Sequence, residues 1–288
     1  MMERMTLPDE DDVRYFSERG YWIAPPLFTT DEVDRYRAAM DRVRAGEYRT
    51  GRHPTLDLPI PPDATALRKI DNAWWADPDL ADLATDARLG ATAARLLGVE
   101  AVRLWQDQLL HKPPSGEVRT RIGWHQDWDS WRTVASIDRF VTAWVALDDV
   151  DEANGAMQVL PGSHHWGLLP GQSDFLGTDL DAQLERLSAQ HDLAPKLLEM
   201  TAGQVSFHHV LTFHGSATNS SQRVRRSLAV HLVDATVASV SHLDGWQHYN
   251  LALLRDRGRE VGDAYDIEDL WPVVFPTNAG LPSARSSP

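Results

Sequence analysis

Cysteine is absent from the 288 residues, which excludes both a disulfide framework and a thiolate metal site. No run of eighteen apolar residues occurs, so no segment reads as a membrane-spanning helix. The stretch Met1 to Asp12 is acidic and has no apolar core of the kind a secretory signal needs, so the expected compartment is the cytoplasm. Positive charge is also short: 28 Lys and Arg face 42 Asp and Glu, and the net −14 repels nucleic acid and anionic membrane as partners. Internal repeats are missing too. What is present is a chain of single-domain length for a barrel-type fold, so residues 1–288 are expected to form one domain. Tryptophan is unusually frequent, with eleven copies.

Two or three helices open the chain. Residues 11–19 read as a helix stopped by Gly20, and Tyr21 to Ala24 as a strand ended by Pro25-Pro26. Thr29 and Glu32 form a capping box that opens a helix to about Ala45, with Val33, Tyr36, Met40 and Val43 on one face. Residues 51–66 are Gly/Pro-rich loop, and a helical region spans Asp77 to Leu97, stopped by Gly98. From Val102 the pattern changes to strands: Val102–Leu110, the stretch around His125, Phe140–Leu147, Ala156–Leu160, an apolar run from Gly203 to His214, and Ser227–Val233. Residues 179–190 read as a helical surface insertion, and Thr277 to Pro288 as a disordered tail. The expected class is mainly β with flanking helices around a double-sheet jelly roll: a helical part at about 10–98, a core at about 100–235, and a variable lid and tail at 236–288.

Trp124-His125-Gln126-Asp127-Trp128 is the stretch that carries chemistry. On an extended strand His125 and Asp127 share one face and can close on a single cation. His214, at the end of the later apolar run, is the best third ligand. Two histidines and one carboxylate form the facial triad of non-haem Fe(II) oxygenases, which leaves three positions for cosubstrate and dioxygen. A lone His-x-Asp is weak, because a chain with twelve histidines and many aspartates yields about one such pair by chance, and alone it reads equally as a surface histidine beside a loop carboxylate. His242-Leu243-Asp244 is the internal control: only His248 follows it, without an arginine-bearing strand behind. His214, in contrast, is followed eleven residues later by Arg225.

The chain resembles the phytanoyl-CoA dioxygenase family of Fe(II)/2-oxoglutarate oxygenases over roughly residues 10–235. The likeness is spread over Gly20-Tyr21 and the capped helix after it, Gln108-Leu109-Leu110 leading to Lys112-Pro113-Pro114, and Trp124 to Trp128. It continues through Trp144 to Asp149, Asn154 to His164, and His214-Gly215-Ser216 to Arg225-Arg226-Ser227. The resemblance implies a double-stranded β-helix with His125, Asp127 and His214 as iron ligands and Arg225 on the distal carboxylate of 2-oxoglutarate. Arginine suits that task because its rigid fork meets a carboxylate bidentately and stays charged. Ser216, Gln108 and Lys112 are further candidates for the cosubstrate wall. Trp124, Trp128, Trp131 and Trp144 are candidates for the substrate pocket, although Trp144, near the barrel centre, suits packing better than contact. His164, His165, His208 and His209 fall outside the triad and read as satisfied structural histidines.

The implied activity is oxidation, chiefly hydroxylation, of an unactivated C–H bond in a small molecule, with succinate and carbon dioxide as co-products. Related halogenases carry a small residue where Asp127 stands, so oxygenation and not halogenation is expected. Lys112, Arg119, Arg121 and Arg132 gather enough charge for one carboxylate or phosphate, which favours a free secondary-metabolite intermediate or amphipathic acid over a CoA thioester, and the arginines read equally as a solvated loop. Two other readings suit a jelly roll: a cupin-like metal isomerase or lyase, which needs no cosubstrate arginine, and a tryptophan-rich sugar-binding module.

Overall fold

The computed structural model describes residues 7–59, 63–115, 118–131, 139–177, 179–240 and 248–276. Arg132, the His242/Asp244 pair and the tail from Thr277 lie outside them. The helical part begins with α1 (Glu10–Arg19), capped by Asp9 and ended by Gly20 at φ 76°. β1 (Tyr21–Ile23) follows, then α2 (Thr30–Arg44), where both halves of the Thr29/Glu32 capping box form. Val33, Tyr36, Met40 and Val43 are buried, as the helical spacing requires. Residues 51–66 are not all loop: β2 (Leu56–Leu58) pairs with β3 (Arg68–Asp71). The helical region splits into α3 (Pro78–Ala84) and α4 (Ala87–Leu97), because Asp86 is extended and its carboxylate caps the second helix at the Arg88 amide.

The strand part comprises β4 (Val102–Lys112), β5 (Ile122–His125), the short helix α5 (Asp127–Trp131), β6 (Phe140–Ala146) and β7 (Met157–Val159). It continues with α6 (Leu180–Ser188), β8 (Lys196–Leu197), β9 (Val205–His209), β10 (His214–Ser216), β11 (Arg225–Asp234), α7 (Tyr249–Asp256) and β12 (Val273–Phe275). These strands form two antiparallel sheets. One has the order β1-β9-β6-β11-β4-β3-β2, with β12 also on β4, and the other β5-β10-β7-β8. This is the expected jelly-roll architecture.

Alternation along the large sheet separates core from site. Val141, Ala143, Val145, Phe207, Leu228 and Val230 point outward and are buried under the N-terminal helices with Val33, Met40, Leu80 and Leu89. The intervening residues face the small sheet and build the site.

Three further segments differ from expectation. The apolar run to His214 is two strands, since β9 belongs to the large sheet and β10 to the small one, and residues 210–213 carry the chain across. No glycine or proline marks that crossing, so local signals are silent there. α6 is not merely a surface insertion: buried Gln183 accepts a hydrogen bond from the Trp124 amide at 3.0 Å and donates to the Trp124 carbonyl at 3.2 Å. Finally, the region after 235 is more than a lid, because β12 pairs with β4 and Val274 enters the main core. Tyr265, Leu270 and Trp271 are buried with Trp105 and Phe140. Among the described residues no helix is long and apolar enough to cross a membrane.

Candidate metal centre

His125 and Asp127 do not share one extended strand, as the spacing suggests. β5 ends at His125 and α5 starts at Asp127, so the chain turns at Gln126 and swings the carboxylate back toward the imidazole. Asp127 Oδ1 lies 3.6 Å from His125 Nε2 and 3.7 Å from His214 Nε2. His214 arrives from far along the chain because β10 pairs with β5 in a register that sets His214 directly opposite His125, with rings 4.1 Å apart. The three donor atoms lie within 4.8 Å of one another, and all three residues are buried. Gln126 locks the arrangement: its buried amide donates to the Gly167 and Leu211 carbonyls at 2.8 Å each and accepts from the Leu169 amide at 2.9 Å. Gly123 must be glycine, since a Cβ there would sit 1.9 Å from the Asp174 carbonyl.

The donor set fits a divalent cation. His125 Nδ1 contacts the Gly123 carbonyl at 2.8 Å and His214 Nδ1 the Thr212 carbonyl at 3.0 Å. Each carbonyl holds the proton on Nδ1 and turns a bare Nε2 inward, the usual support for a metal-binding histidine. Burial and the neighbouring His125 and His208 push His214 well below the usual imidazole range. Burial opposes ionisation of Asp127, but the surrounding histidines outweigh it and hold the carboxyl well below its usual range. Neutral imidazole with ionised carboxylate is the state a metal ion requires.

A cavity opens onto this centre, lined by Gln108, Leu110, Ile122, Trp144, Phe175 and Arg225 among others. One end is built for an anion. Arg225 is 1% exposed, one of its terminal nitrogens donates to the Gly155 carbonyl, and its Nε is buried with no partner. Its guanidinium stacks 5.3 Å from the Trp144 ring, and burial lowers it to about 9, which leaves it charged at neutral pH. Lys112 stands directly opposite on β4, donating to Ser216 Oγ at 2.7 Å and the Ala217 carbonyl at 2.6 Å. Burial and the neighbouring Arg225 depress Lys112 well below the usual lysine range. Two buried basic groups with no carboxylate in contact among the described residues are costly, and a ligand carboxylate relieves that cost. The flanking arginines differ: Arg223 is exposed and paired with Asp151, and Arg226 is paired with Asp148 and Asp41.

The tryptophans divide. Trp144 lines the cavity, whereas Trp124 packs behind it with Leu160, Leu187 and Phe213. Trp128 packs on Phe140, and Trp131 backs His231 at 4.7 Å, so these three do not form the cavity wall among the described residues. His164, His165 and His209 are likewise absent from the lining. His208 departs from the satisfied role expected of it, because it lines the cavity, lies 3.5 Å from Asp127 and has neither ring nitrogen bonded. Thr142 and His231 complete this side and were not singled out from the sequence. A signal for His231 exists: it lies six residues after Arg225 on one strand, hence on the same face.

The family model for phytanoyl-CoA dioxygenase matches residues 16–227. The chain belongs to the phytanoyl-CoA dioxygenase family. It is accordingly a non-haem dioxygenase dependent on Fe(II) and 2-oxoglutarate, which removes the isomerase and sugar-binding readings. The dioxygenase is 29% identical over 223 residues to a probable alpha-ketoglutarate-dependent hypophosphite dioxygenase of Stutzerimonas stutzeri, covering 75% of this chain and 76% of that protein. It is 24% identical over 270 residues to the peroxisomal phytanoyl-CoA dioxygenase of Rattus norvegicus, covering 90% and 79%. Among solved structures it is similar to the non-heme alpha ketoglutarate dependent carbocyclase SnoK from nogalamycin biosynthesis, at TM-score 0.71 and 26% identity over 92% of this chain and 96% of that one. Matches of that coverage extend past residue 235, where the motif resemblance stops.

Proposed function

We propose that the dioxygenase oxidises an unactivated C–H bond of a free small molecule, a secondary-metabolite intermediate or amphipathic acid, with hydroxylation as the outcome. The observation that carries this reading is the placement of the His125/Asp127/His214 donor set and the uncompensated Arg225 in one cavity. In this reading His125, Asp127 and His214 hold Fe(II). Arg225 anchors the distal carboxylate of 2-oxoglutarate, with Ser216 and Lys112 beside it and Gln108 on the same wall. Iron and cosubstrate together supply an oxidant for C–H cleavage, with succinate and carbon dioxide as co-products. The protein's part is orientation and exclusion of water by Leu110, Ile122, Met157 and Phe175.

The site's electrostatics supports a free substrate over a CoA thioester. Lys69 stands opposite cavity-lining Leu110 on β3, but Asp71 neutralises it at 2.5 Å. Arg119 is likewise paired with Asp63. Neither of these two cations is thus left unpaired for a polyanion, and the net −14 works against it at long range. The likeness to a carbocyclase favours a second outcome, ring closure after C–H cleavage. Succinate release above the uncoupled background, compared across matched free acids, CoA thioesters and polycyclic metabolites, tests the substrate class. Stimulation confined to thioesters contradicts the proposal. Product mass separates the outcomes, since hydroxylation adds one oxygen atom and ring closure removes two hydrogens.

A further inference from the structure

Three neighbouring strands lay one row of polar side chains beneath Asp127. Thr142 on β6 sits opposite His208 on β9 and opposite His231 on β11, all on the cavity face. The row converges on Asp127 Oδ2, the carboxylate oxygen that the triad histidines do not share. Thr142 Oγ1 lies 2.7 Å from it, His208 Nε2 3.5 Å and His231 Nδ1 4.0 Å. Thr142 Oγ1 also lies 2.8 Å from His231 Nδ1.

A hydroxyl has one proton, which sets the direction of this chain. An ionised carboxylate can only accept, so Thr142 donates to Asp127 Oδ2 and accepts from the His231 Nδ1–H. The His231 Nε2 is then the bare nitrogen, in keeping with its being buried without a partner. Trp131 packs edge-on against the His231 ring at 4.7 Å and holds it in place.

We propose that Thr142, oriented by His231, is a positioning residue that keeps Asp127 a one-oxygen metal ligand. With Oδ2 held back by the threonine, only Oδ1 faces His125 and His214. A carboxylate free to turn is less often aimed at the cation, which weakens binding, and it can also bring both oxygens onto the metal, which takes one of the positions that cosubstrate and dioxygen require. The inference rests on the metal-centre reading given above and assigns a role to residues outside the triad.

The test is anaerobic Fe(II) binding, followed by the charge-transfer absorption that forms when 2-oxoglutarate chelates the bound iron. Thr142→Val keeps the side-chain shape and removes the hydroxyl. It should weaken Fe(II) binding roughly 10–100-fold and diminish the absorption at saturating iron. Thr142→Ser should restore both, and His231→Phe, which deletes the donor to Thr142 but fills the space, should fall between. Melting curves of the metal-free variants report folding separately. If Thr142→Val does not fold, His231→Phe carries the test, with weaker iron binding expected and unaltered binding contradicting the proposal. Wild-type affinity and absorption in Thr142→Val overturn it, as does a folded Thr142→Ser that fails to recover. Asp127→Ala is the control for the underlying reading: if it retains iron affinity, the metal centre itself is misplaced, whereas if it loses iron and Thr142→Val does not, only the positioning role falls.

Discussion

Arg223 and Arg225 stand two residues apart, yet one is an exposed partner of Asp151 and the other is sealed behind Trp144 with no carboxylate in contact among the described residues. A buried guanidinium of this kind gains most from a ligand carboxylate, so Arg225→Ala should raise KM for 2-oxoglutarate by the equivalent of about 3–5 kcal/mol. Arg223→Ala should leave it near wild type. Initial rates of succinate formation across cosubstrate concentrations check this, and equal small effects remove Arg225 from the site. Asp127 fills the position that related halogenases leave open, so chloride or bromide in the assay should not change the product; mass spectrometry decides. At this scale the grouping of His125, Asp127 and His214 was legible through the motifs that carry the family resemblance, although a turn at Gln126, and not one shared strand face, brings the first two together. His208 and Thr142 were not legible, because they meet Asp127 through the register of neighbouring strands; for His231 the even spacing from Arg225 gives the face but not the meeting with Asp127.

Among the elements, α2 and α4 are joined by one carboxylate. Glu32 closes the capping box of α2 and pairs with Arg88 of α4 at 2.7 Å. Burial opposes its ionisation, but hydrogen bonds from Arg88 and Thr29 win and bring it down to about 2 from 4.5. A carboxylate with a depressed folded-state pKa contributes stability that is fully present above its unfolded value and lost as pH falls through the folded one. Glu32→Ala should therefore lower the melting temperature at pH 7 by about 2–4 °C, and by less at pH 3. A gap that is the same at both pH values contradicts the pairing. The cap itself was legible in Thr29 and Glu32, as was the stop at Gly98. The break between α3 and α4 carried a weaker signal, Asp86 as an N-cap, which the continuous helical pattern masked. The crossing from β9 to β10 had no breaker residue at all, and only sheet pairing reveals it.

For the whole molecule, the two-sheet architecture followed from the succession of short strands after a helical opening. The position of the C-terminal region did not follow, because β12 is only three residues long and gains its place by pairing with β4, more than 150 residues earlier. Trp271 is 1% exposed, packs edge-on to Tyr265 at 4.9 Å, and its carbonyl accepts from Arg103 at 2.5 Å. Trp271→Ala should thus cost about 3–5 kcal/mol of stability in denaturant unfolding, the range for emptying a large aromatic from a core. A detachable lid would instead lose substrate-stimulated turnover with stability unchanged.

In the proposed reading one cavity holds Fe(II) on His125, Asp127 and His214 and 2-oxoglutarate on Arg225. A crystal structure of the protein grown without oxygen in the presence of Fe(II) and 2-oxoglutarate, with anomalous scattering at the iron edge, tests it most directly. The expected result is a single iron peak bonded to His125, His214 and one oxygen of Asp127, with the cosubstrate's distal carboxylate on Arg225. An iron peak elsewhere, or a cosubstrate whose distal carboxylate does not meet Arg225, contradicts it.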